Sequence, residues 1–307
     1  MDKDRRYKQN LQGLLQFAMD QTKAEDAPNC NNAHTEMDQE RKMFLEEAIK
    51  SMTVDVMEEL QKALSILERS KDFTEQDEID ALNSIRDNID SLDFSNNFIK
   101  IGGSKLLLDK IKSTNYKIQS SAIYAIAELG QNNTYGQKHF LELNVFDTLI
   151  SLVKHESEEV ASSALHCISS LVRQYEPGCA VFLEKNGLEA VVECLCSDHP
   201  KVFTKACFLI SNLTSEHKGI GDEFVKLKAI SLLAKCLDIV TGFDIKIESI
   251  LLALNTLTKT DKGKEHCRKT QIYQQLISII ENNAEKPECE EMLQYSRNLL
   301  NCFDIDH

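Results

Sequence analysis

KVFTKACFLISNLT (residues 201–214), the polar turn SEHKGIGDE (215–223) and FVKLKAISLLAKCL (224–237) form the unit from which this chain is built. The first segment sets Val202, Ala206, Leu209, Ile210 and Leu213 on one helical stripe, and the last does the same with Phe224, Leu227, Ile230, Leu233 and Leu237. Gly219 and Gly221 interrupt the pattern, so the stretch up to Gly242 reads as two amphipathic helices joined by a turn. One such pair cannot cover its own apolar face and needs a neighbour. The chain supplies neighbours at a fixed distance. Phe98, Phe140, Phe182 and Phe224 are each 42 residues apart, Cys267 follows 43 later, and each opens a version of the same phrase, from FIKIGGSKLLLDKI (98–111) to CRKTQIYQQLISII (267–280).

The helix before that phrase repeats too, as SSAIYAIAELG, SSALHCISSLV, TKACFLISNLT and ESILLALNTLT. Its small anchors are Ala122, Ala164 and Ala206, and its closing leucines are Leu129, Leu171, Leu213 and Leu257. A period of about 40 residues with two or three helices per unit is the signature of an armadillo or HEAT array. The expected fold is therefore an all-α, right-handed armadillo/HEAT-like solenoid with helical caps at both ends. Repeat units are expected over about 75–115, 116–157, 158–200, 201–243 and 244–288. Before them stand a tail over 1–34 and a helical cap over 35–74, and a capping helix over 289–307 follows. End units of such arrays are atypical, which suits the departure of the helix containing Ile79, Leu82, Ile85 and Ile89 from the small-anchor pattern. Thr74 and Asp77 form its expected N-cap pair.

Composition narrows the function. The 307 residues carry 49 acidic and 35 basic side chains, a formal charge of −14, which disfavours a general affinity for nucleic acid or anionic membrane. The ten cysteines fall inside amphipathic helices without metal-ligand spacing. Cys194 and Cys196 point about 200° apart on a helix. Buried reduced thiols and a reducing, cytoplasmic compartment are the plain expectation. MDKDRRYKQN is followed by no apolar core, so no signal peptide is expected, and no apolar run is long enough to span a bilayer.

No catalytic constellation stands out, and neither a cofactor nor a metal is expected. His166 and Cys167 are adjacent, which on a helix turns them about 100° apart and keeps imidazole from thiol. The chain reads as a binding scaffold, not an enzyme, and as a monomer. Its groove should be lined by the anchor-bearing helices: Glu128, Ser170, Asn212 and Thr256 just before the closing leucines, and Tyr124, His166, Phe208 and Leu252 one turn earlier. Arg173, Lys205 and Lys218 add local positive charge. The plainer alternatives are that Tyr124 and Phe208 pack between repeats and that Arg173 pairs with Glu176 within the chain.

Four segments carry a family resemblance. NLQGLLQFAM, MDQERKMFLEEAI, ISSLVRQYEPGCAVFL and KACFLISNLTSEHKG together resemble the armadillo-type binding proteins of the heat shock protein 70 chaperone, the cytosolic Fes1-like exchange factors, from about Asn10 to Phe303. The resemblance implies a nucleotide exchange factor that clasps the chaperone's ATPase domain in its concave face and promotes ADP release. It assigns Arg173 and Glu176 to an LVRxxE motif and Asn212 and Lys218 to an NL…HKG segment. Glu128 and Asn132 match more loosely. In the tail, Leu11, Leu14, Leu15 and Phe17 form an apolar patch flanked by Arg5, Arg6 and Lys8, suited either to the chaperone's peptide groove, where it would aid substrate release, or to docking back on the solenoid. An importin-like or catenin-like adaptor for extended peptides is the alternative. It would present a ladder of Trp and Asn, whereas Trp is absent and Asn212 alone holds a ladder position.

Overall fold

The computed structural model describes residues 56–303. The apolar tail motif and the helix expected around Met43–Met52 lie outside the described residues. The chain divides into two compact units, 1–63 and 64–307. The described part of the first is the opening of helix α1 (Val56–Glu68), where Leu60 and Ala63 are buried and Lys62 reaches Glu58 at 3.0 Å.

The second unit is built of helices alone among the described residues. After the end of α1 comes α2 (Glu75–Asn88), fixed by the expected cap: Thr74 Oγ1 accepts from Asp77 N–H at 3.2 Å, and the Asp77 carboxylate accepts from Thr74 N–H at 2.8 Å. Five triplets follow. They are α3 (Leu92–Lys100), α4 (Gly103–Lys110) and α5 (Tyr116–Gly130); α6 (Thr134–Glu142), α7 (Val145–Leu152) and α8 (Glu158–Val172); α9 (Glu176–Glu184), α10 (Gly187–Glu193) and α11 (Pro200–Glu216); α12 (Ile220–Lys226), α13 (Ala229–Lys235) and α14 (Ile245–Leu257); and α15 (Asp261–Arg268), α16 (Tyr273–Asn283) and α17 (Glu290–Leu300).

The repeat is thus a triplet where the sequence suggests a pair. FVKLKAISLLAKCL is not one helix: α12 ends at Lys226, and Lys228 turns the chain with φ of 65° before α13. The same joint recurs at Gly102 (φ 91°), Asn144 (54°) and Asn186 (56°), each 42 residues from the next. One left-handed residue changes the chain's direction but deletes nothing from the apolar pattern, so the periodicity reads straight through it. Asn tolerates that conformation better than most residues; at Lys228 it is uncommon. Gly221 is likewise no breaker. It is buried inside α12, whereas Gly219 (φ 92°) supplies the turn. At Gly136, which opens the first helix of an earlier triplet, an added Cβ would lie 2.0 Å from the Leu129 carbonyl oxygen. Glycine there lets that helix press against the end of the preceding one.

The core runs through the triplets without a break. Phe98, Phe140, Phe182, Phe224 and Cys267 are fully buried, as are Ala122, Ala164 and Ala206. The small anchors let the third helices lie close, α5 along α8 and α11 along α14. Cys167, Cys179, Cys194, Cys207, Cys267, Cys289 and Cys302 are buried free thiols, and Cys196 is exposed. Burial pushes the Cys194 thiol up to about 12, further raised by Glu193.

Candidate functional groove

The third helices set one face of the stack, and a cleft of about 240 Å³ opens on it between the end of α5, α8 and α11. It gathers His166, Arg173, Lys205, Phe208 and Asn212 from two repeats, with Asn132 from the turn after α5. Glu128 is half-buried near the end of α5, Glu176 opens α9, and Lys218 stands exposed in the turn after α11; these three do not line the cleft. Of the row before the closing leucines, Asn212 is half-buried and faces the cleft, but Ser170 and Thr256 are buried. Ser170 keeps an edge on the cleft, while Thr256 bonds Ser211 at 2.9 Å and donates to the Leu252 carbonyl at 2.8 Å, inside the α11–α14 contact. The row one turn earlier is more open. Tyr124, His166 and Leu252 are half-buried, and Phe208, at 36% exposure, is the aromatic that stands out on this face.

Arg173 ends α8 as its C-cap, and Gln174 follows in the left-handed region with φ of 49°. Gln137 of α6 holds this end: its Nε2 donates to the carbonyls of Ser170 and Arg173, both at 2.9 Å. The Arg173 side chain, about half exposed, meets Glu216, with Nε to Oε1 at 3.3 Å. The other Glu216 oxygen accepts from Gln174 N–H at 3.1 Å. The alternative in which Arg173 pairs with Glu176 is not met; Arg173 pairs with Glu216 instead. The turn at Gln174 ends α8, so the i,i+3 geometry of a continuing helix never forms. Glu176 instead becomes the first residue of α9 and meets His217 Nδ1 at 3.0 Å.

A second cluster sits toward α2. The rings of Tyr124 and His166 are 5.6 Å apart and tilted by 49°. The Arg86 guanidinium lies 5.0 Å from the Tyr124 ring centroid and the Lys205 ammonium 5.9 Å from it. Burial pulls the His166 pKa down to about 4, and the neighbouring Lys205 and Arg86 add to the effect, so this imidazole is neutral at neutral pH. Burial also lowers the Lys205 pKa, helped by Lys201. Sequence reasoning missed Arg86, because α2 departs from the repeat and offers no register to align. It also missed Gln137 and Glu216, whose roles depend on contacts 33 to 43 residues away in the chain. Among the described residues no cluster of three or more metal-ligating side chains occurs, and no helix is long and apolar enough to cross a membrane.

A continuous stack of three-helix units with a polar-aromatic face defines an armadillo-type solenoid. Solved structures agree. A designed armadillo repeat protein is similar at 17% identity, with a TM-score of 0.65, over 80% of this chain and 100% of that one. Another, solved with the peptide (KR)4, is similar at 18% identity and a TM-score of 0.64, over 80% and 99%. The armadillo-repeats-only protein from Plasmodium falciparum is similar at 16% identity and a TM-score of 0.55, over 68% and 95%. No curated protein matches the chain. Family models are more specific. Residues 11–98 match "Nucleotide exchange factor Fes1", and residues 94–236 match "SIL1/FES1/HPBP1 C-terminal domain". The chain belongs to this family of Fes1-like nucleotide exchange factors of the Hsp70 chaperone.

Proposed function

We propose that the groove face clasps the ATPase domain of Hsp70 and favours its open form over the closed, ADP-holding one. Exchange of this kind breaks no bond. A factor that binds one conformation better than another shifts the population by its differential affinity. The observation that carries this reading is the convergence of His166, Arg173, Lys205, Phe208 and Asn212 on one cleft, although they come from two repeats. Asn212 and Arg173 belong to the segments that resemble the family motifs. Glu176 and Lys218 border this region from the adjoining turns, and Glu128 stands further along α5. We place the protein in the cytosol, in keeping with its buried free thiols, and take it to act as a monomer.

The adaptor reading fits this groove less well. The designed relative solved with (KR)4 holds a cationic peptide, whereas the cleft here is itself lined by Arg173 and Lys205. Release of labelled ADP from full-length Hsp70, titrated with the parent protein and with Arg173→Glu, tests the proposal. The variant should need a markedly higher half-maximal concentration, and equal values would remove Arg173 from the contact.

The segment 1–30, with Leu11, Leu14, Leu15 and Phe17, is proposed to enter the chaperone's peptide groove and speed substrate release. Deleting it should leave ADP release intact and slow the loss of a bound fluorescent peptide. Unchanged peptide release would refute that role.

A further inference from the structure

Arg86 and Lys205 come from α2 and α11 yet meet over the ring of Tyr124 on α5, at 5.0 and 5.9 Å from its centroid. Both are half-buried. Among the described residues neither lies within ion-pair distance of a carboxylate, and Arg86 Nε is buried with no hydrogen-bond partner. Burial elsewhere in this unit is handled differently: Lys110, also largely buried, is met by Glu78. In a chain with 49 acidic residues, two cations sharing one aromatic ring without an acid stand against the composition. The quadrupole of the Tyr124 ring attracts each cation, but it carries no net charge and neutralises neither. The neighbouring imidazole of His166 brings no negative charge either.

We propose that Arg86, Tyr124 and Lys205 form a carboxylate-binding subsite that receives an acidic side chain of the chaperone, a second anchor beside Arg173. The subsite rests on the reading that this face meets Hsp70. A guanidinium fork presents paired donors to a carboxylate, the ammonium adds a point charge, and the ring shields both from water. Docking of an acid would supply the counter-charge that the free protein lacks at this ring.

The test is the affinity of Arg86→Gln, Lys205→Gln and Arg173→Glu for full-length, ADP-loaded Hsp70, measured by calorimetry across a salt series together with each variant's melting temperature. Arg86→Gln and Lys205→Gln should each weaken binding on the order of tenfold, because each removes a charged contact. Each should also flatten the dependence of affinity on salt. Each should melt only slightly lower than the parent, because the free protein loses one cation–π contact; a merely structural pair would melt lower without changing the salt dependence of binding. The subsite is overturned if both variants bind as the parent does while Arg173→Glu is weakened, an outcome that leaves the wider reading standing. It is also overturned if they bind more weakly with an unchanged salt slope. If all three variants bind as the parent does, the groove reading falls and the subsite with it. Should Arg86→Gln fail to fold, Lys205→Gln decides by the same criteria.

Discussion

Arg173 and the Arg86–Lys205 pair lie on the same face of the repeat stack, and only Arg173 has an acid of its own. Glu216 reaches it at 3.3 Å and is itself anchored by Gln174 N–H, so the charge at the end of α8 is answered before any partner arrives. At the Tyr124 end the cations have the aromatic ring and no acid. On the proposed reading the two ends would bind at different cost. A partner at Arg173 would compete with Glu216, whereas a partner acid at Tyr124 would meet cations that have no acid of their own. Orientation should come mainly from the first end, where Gln137 fixes the backbone, and charge-driven affinity from the second.

Reversing the held charge gives the largest effect expected from this contrast. Arg173→Glu should cost about 2–5 kcal/mol of Hsp70 affinity, because it sets an acid beside Glu216 and against the partner's acceptors. Melting should move little, since the Arg173 side of the lost pair is half exposed. A full-size drop in melting temperature would mean that Arg173 serves the fold instead.

Gln137→Ala comes next. It removes the donor shared by the carbonyls of Ser170 and Arg173, and urea denaturation should show a loss of about 1–3 kcal/mol. Affinity should fall as well, since the end of α8 loses its tether. Loss of stability with affinity unchanged would show that Arg173 finds its position without Gln137.

Glu216→Gln should have a smaller effect. The pair is worth about 0–1 kcal/mol to the fold. Because the neutral side chain no longer competes for Arg173, Hsp70 binding should hold or tighten. Weaker binding would make Glu216 a contact in its own right.

The smallest effect concerns pH. His166 has its folded pKa lowered to about 4 from an ordinary 6.5. Between those values the unfolded chain binds more protons than the folded one. Its contribution to stability is therefore complete above pH 6.5 and declines as pH falls toward 4. His166→Gln should flatten the melting-temperature profile in that window. A profile identical to the parent's would show that other groups govern it.

The periodicity, the core anchors and the cap at Thr74 were all legible, because a residue's place in a helix stripe depends only on its neighbours in the chain. Phe224 and Ala206 are buried as their spacing requires. The division of each long phrase at Gly102, Asn144, Asn186 and Lys228 was not legible, since one left-handed residue leaves the apolar spacing intact. The groove was half legible. His166, Phe208 and Asn212 follow from repeat register, whereas Ser170 and Thr256 share the register of Asn212 yet are buried, since core and groove differ by a single step around the helix.

By itself, then, the amino-acid order determined that the chain is a helical array with aromatic and alanine anchors at a 42-residue period, and local segments resembling one family pointed to the exchange factors. Tertiary structure alone decided which charges find partners. Arg173 meets Glu216 and not Glu176 because the turn at Gln174 breaks the helix between the nearer two, and Arg86 and Lys205 both meet Tyr124 because stacking brings α2, α5 and α11 together. Those pairings span dozens of residues, and a pattern that repeats every few residues carries no record of them.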